Sequence, residues 1–64
     1  MEANVQLIES GYSFAVAEAL REDLSHEYRE FFRGMATGLA NWTGVIDGDK
    51  FKADAERMRQ MLSR

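Results

Sequence analysis

The residues able to do chemistry in this chain are few: one histidine, two small groups of carboxylates and a series of cations, with no cysteine. His26 is the side chain whose ordinary pKa lies nearest neutrality. Acid–base or nucleophilic work would need a nucleophile or a carboxylate held against it. Neither Glu27 nor Glu30 is placed to serve, so a solvated histidine in the first turn of a helix is expected. Asp47, Asp49 and Asp54 raise the question of a cation site. A calcium loop of the EF-hand type needs a fixed Asp-x-Asp-x-Asp-Gly order and a glutamate at its twelfth position, and both are missing here. Helix capping accounts for Asp47 and Asp49, which leaves Asp54 as a surface residue. With no cysteine and one histidine, neither a disulfide framework nor a structural zinc site can be assembled. No catalytic residue, metal or cofactor is expected.

The cations pose a sharper choice. Lys50, Arg57 and Arg64 recur every seven residues, as do Lys52 and Arg59, and they flank the apolar stripe of the last segment. Such a ridge suits the edges of a helix–helix seam. It could also bind the phosphates of a nucleic acid. Residues 1–30 hold seven acids against two bases, whereas residues 31–64 hold four acids against six bases. The acidic first half is therefore the natural neighbour of the ridge. A pI near 5.0 argues against the concentrated basic face of a nucleic-acid protein.

The elements that must position these groups follow from periodicity. Val5, Ile8, Tyr12, Val16, Ala19 and Leu20 recur at steps close to three and four, which is helical spacing. Gly11 interrupts the pattern without shifting its phase, so one helix or two between residues 3 and 22 are both open. Ser25 reads as the N-cap of a second helix, whose face carries Tyr28, Phe31, Phe32, Met35, Leu39 and Trp42. Gly44 stands where a helix commonly ends in the left-handed conformation. In VIDGD, the flanks are too short for an isolated hairpin. Asp47 instead reads as an N-cap, with Ile46 and Phe51 as its hydrophobic staple. The last helix presents Phe51, Ala55, Met58 and Leu62.

These observations predict a single all-α domain over residues 1–64, a small bundle of three main helices at about 13–23, 26–42 and 48–62. A helical or loosely ordered N-terminal segment precedes them. Gly34 and Gly38 lie four apart on the flank of the aromatic stripe, and they are read as a slot for close packing against another helix of the fold. A chain this short buries only roughly 60% of its unfolded surface. Its methionines and aromatics exceed what such a core can house, so Tyr12, Phe14, Trp42 and Met61 are expected to stay exposed for a partner. A homodimer or an obligate protein partner is implied. Apolar runs are too short to span a bilayer. The start of the chain has no secretion signal, so no membrane association and a cytoplasmic setting are expected.

Three stretches carry a family resemblance: AVAEALR (15–21), MATGLAN (35–41) and IDGDKFKADA (46–55). Together they resemble small uncharacterised proteins of phage and prophage genomes, in which a Phe-Asp-x-x-Arg-Phe-x-x-Ala segment opens the last helix. Ile46 replaces the usual Phe here. VAEALRE and EYREFFRGM are similar, with a gap, to the theta-type accessory subunit of bacterial DNA polymerase III. The first resemblance implies a helical fold without implying an activity. The expectation is a non-catalytic phage- or prophage-type protein that binds a host or phage protein. A nucleic-acid-associated regulator or replication accessory protein using the Lys50–Arg64 ridge is the alternative.

Overall fold

The computed structural model describes residues 2–63. Within them, three helices follow one another: α1 (Glu2–Ala19), α2 (His26–Thr43) and α3 (Gly48–Leu62). The molecule is thin, with principal extents of 38 × 20 × 14 Å. α1 lies mainly along α2, and α3 packs on α2 with a lighter contact to α1.

The ends of the helices follow local chemistry. Ser25 accepts from the backbone N–H of Tyr28 at 3.2 Å and caps α2. Asp47 accepts from the N–H of Lys50 at 3.1 Å and caps α3. Gly44 ends α2 at a φ of 67°, a left-handed conformation that costs glycine no Cβ clash. Ile46 and Phe51, on either side of the Asp47 cap, both join the core cluster as a staple requires.

α1 runs unbroken through Gly11, which settles the open choice in favour of one helix, and it stops at Ala19 instead of continuing to residue 23. Acidic side chains are unfavourable at the negative end of a helix, and Glu22 and Asp23 stand there. Arg21 closes the turn by pairing with Glu18 and Asp23.

The core is Tyr12, Ala15, Val16, Ala19, Phe32, Ala36, Ile46 and Met58. Its alanines lie on α1 and α2, so small residues do mediate the main helix contact, but they are Ala15, Ala19 and Ala36. Gly34 and Gly38 do not. A Cβ built at either would meet nothing within 4 Å, so no helix of this chain packs there and the close-packing expectation is corrected. By contrast, a Cβ at Gly11 would touch Leu39 Cδ1 at 3.6 Å, an ordinary van der Waals contact. Alanine wins the interface because it allows close approach while keeping helix propensity.

Candidate functional site

The aromatic stripe of α2 divides into two lines. Phe32, Ala36, Leu39 and Ala40 turn toward the core. Tyr28, Phe31, Met35 and Trp42 turn outward. At about 100° of rotation per residue, the second line lies roughly one residue step around the helix from the first. α1 covers the alanine-containing side, and the aromatic side is left uncovered. Trp42 is 92% exposed and Phe31 67%. The stripe is therefore core along one line and surface along the other.

The outward residues are not isolated. The rings of Phe31 and Phe32 meet edge to face at 5.2 Å, and Tyr28 tilts against Phe32 at the same separation. From α1, Phe14 approaches Phe32 edge-on at 5.7 Å. Phe32 is thus the buried base of a surface cluster whose upper members are Phe14, Tyr28 and Phe31. Such edge-to-face pairs are worth ~0.5–1.5 kcal/mol beyond simple burial, which holds exposed rings in place before any partner arrives.

Of the four residues expected to offer partner contacts, Phe14 and Trp42 are exposed. Met61 is half-buried in the last turns of α3. Tyr12 is fully buried, and its assignment to a partner surface is corrected. Its hydroxyl donates to Asp54 Oδ2 at 2.8 Å, joining α1 to α3 across 42 residues of sequence. A buried tyrosine needs such a partner, and an ionised carboxylate is a strong acceptor.

Asp54 is buried as well, so its reading as a surface residue is also corrected. Besides Tyr12, it meets Arg57 Nη1 at 3.3 Å and Lys50 Nζ at 3.6 Å. Lys50 also lies 5.9 Å from the centre of the Tyr12 ring. Burial first, then the hydrogen bond to Asp54 and its charge, push the Tyr12 hydroxyl well above the ordinary tyrosine pKa. The signal for this pair was present: Asp54 stands three residues after Phe51 and four before Met58, inside the apolar stripe of α3.

The charged ridge is correspondingly rearranged. Lys50 and Arg57 converge on Asp54 of their own helix, and Arg59 pairs with Glu56, so the expected pairing with the acidic first half is corrected. Arg64 lies outside the described residues. Helical i,i+3 and i,i+4 neighbours are always within reach, whereas acids on another helix must be brought there by packing. Glu56 and Glu30 sit below the usual carboxylate range chiefly because Arg59 and Arg33 donate to them. His26 adds a weaker electrostatic influence on Glu30, one turn along α2. Beside the buried pair is a shallow cleft of about 230 Å³ lined by Glu9, Tyr12, Ser13, Val45 and Lys50. Among the described residues, no group of three His, Cys, Asp or Glu side chains converges as metal ligands would. No described helix is long and apolar enough to cross a membrane.

The chain matches no protein-family model, no curated protein and no solved structure.

Proposed function

We propose that this chain is a non-catalytic protein-binding module whose working surface is the outward aromatic line of α2, extended by Phe14. The observation that carries the reading is the exposure of Trp42 and Phe31 along one face of a very small protein. Large aromatics left in water oppose solubility unless something covers them, and Trp and Tyr dominate the energetics of protein interfaces. The rings of Phe14, Tyr28 and Phe31 already pack on Phe32, so binding would order few additional rotamers there. The resemblance of residues 15–21, 35–41 and 46–55 to small phage and prophage proteins supports a host or phage protein as partner. The same resemblance, together with the lack of cysteine, favours a cytoplasmic setting.

Use as a nucleic-acid regulator is less well supported, because three of the ridge cations, Lys50, Arg57 and Arg59, are engaged by Asp54 and Glu56. Affinity capture from a bacterial lysate, with mass spectrometry, tests the reading when wild type is run beside a Phe31→Gln/Trp42→Ala variant. We expect a protein retained by wild type and lost by the variant. Identical sets of retained proteins would remove the host or phage partner from the proposal. Fluorescence anisotropy with DNA and RNA should stay flat, and micromolar binding at physiological salt would favour the nucleic-acid reading.

A further inference from the structure

The spacing of the outward line goes further than exposure. Tyr28, Phe31, Met35, Gly38 and Trp42 follow one another at steps of three, four, three and four, a strict seven-residue repeat over two heptads. That period belongs to a helix–helix seam and makes a narrower stripe than the face of an ordinary core helix. Among the described residues nothing fills the seam at Gly38: a Cβ there would meet nothing within 4 Å.

We infer that the seam is occupied by the seam of a second copy, the two α2 helices running antiparallel about a two-fold axis between Gly34 and Met35. The inference rests on the reading of this surface as a protein-binding face and names its occupant. In the antiparallel register, Phe31 of each copy stands opposite Gly38 of the other, so a large side chain meets a position with no side chain. Trp42 and the Tyr28 of the other copy, like Met35 and its own mate, then stand within one residue step of facing each other. A parallel pair would set Phe31 on Phe31 and Gly38 on Gly38, a collision beside a void. The glycines thus acquire a role that the isolated chain does not explain. On the open flank, Gly34 passes near Gly34 of the second copy and lets the backbones approach.

Charge supports the same register. All the charged residues of α2 lie between residues 27 and 33, and none lies between residues 34 and 43. Antiparallel pairing therefore lays the charged half of one helix on the neutral half of the other, with Glu27 beside Asn41. Parallel pairing would bring Glu27 and Glu30 toward their own copies. The helix dipoles also oppose favourably in the antiparallel arrangement.

The area is sufficient. Tyr28 and Met35 are 53% and 39% exposed, and with Phe31 and Trp42 they offer roughly 500 Å² per copy. The pair would bury at most about 1,000 Å², at the weak end of specific interfaces, so a reversible dimer is expected.

Sedimentation from micromolar to millimolar concentration should show the mass rising toward twice the 7.3 kDa of one chain. The emission of Trp42, the one tryptophan, should shift to shorter wavelength over the same range. Gly38→Leu should abolish the rise while leaving the chain folded, because a Cβ there meets nothing within 4 Å in the monomer. Register is read by oxidation: Met35→Cys should crosslink to itself, Tyr28→Cys/Trp42→Cys should crosslink as a pair, and Trp42→Cys alone should not. A wild-type monomer at millimolar concentration overturns the inference. So does self-crosslinking of Trp42→Cys, which denotes a parallel pair. If the chain stays monomeric yet still captures a protein through Phe31 and Trp42, the dimer fails while the binding reading stands. A dimer that captures nothing from the lysate supports the second copy as occupant and removes the host or phage partner.

Discussion

Tyr12 and Trp42 are both large aromatics with one polar atom, yet this protein treats them in opposite ways. Tyr12 is sealed between α1 and α3, its hydroxyl satisfied by Asp54 and its ring near Phe51. Trp42 projects into water from α2. The difference shows where stability and recognition reside in a small fold. The sealed region ties the first helix to the last and contributes to holding the chain together. The open seam contributes little to folding and keeps its apolar surface for another molecule.

The comparison breaks most easily at the sealed region. Tyr12→Ala should cost about 3–5 kcal/mol, as expected for emptying a buried aromatic site. A domain of this size has only ~3–10 kcal/mol in total, so that variant should be largely unfolded by circular dichroism. Tyr12→Phe is milder. It keeps the ring but removes one hydrogen bond to a buried carboxylate, a loss of about 1.5–3 kcal/mol in a urea melt.

The alkaline limb of stability sharpens the same point. Folding raises the Tyr12 pKa, so between the unfolded and folded values the native state binds the extra proton. Its stabilisation is complete below the ordinary tyrosine pKa of about 10 and is lost as pH climbs above it. The melting temperature of wild type should therefore fall above pH ~10, and Tyr12→Phe should fall less steeply. Equal slopes would mean that the hydroxyl is not held by Asp54.

At the seam, effects on the isolated chain should be small and of the other sign. Gly34→Ala and Gly38→Ala should each raise stability by about 0.5–1 kcal/mol in dilute solution, since alanine prefers the helix and meets no neighbour. Destabilisation by either would show that another helix does approach. Trp42→Ala should change the dilute-solution melt by less than ~0.5 kcal/mol, as for other surface positions. A large loss there would make the tryptophan part of the fold and end its role as a contact.

The second and third helices were legible in the sequence because their causes are local. Ser25 and Asp47 cap the second and third helices through their own following residues, and Gly44 ends the second by a conformation that glycine permits. Helical periodicity marked the apolar faces, and the absence of cysteine excluded any disulfide. Partner choice was decided by the tertiary structure. α2 carries apolar residues over an arc wider than one neighbouring helix can cover, and periodicity does not say which edge is covered. Packing α1 through Ala15, Ala19 and Ala36 resolved that, burying Phe32 and exposing Phe31, Met35 and Trp42. The contact of Tyr12 with Asp54 likewise joins residues 42 apart, a proximity that neither helix contains by itself. Caps and helix faces are written within a few residues of sequence; which face meets water depends on how helices distant in sequence share a small amount of apolar surface.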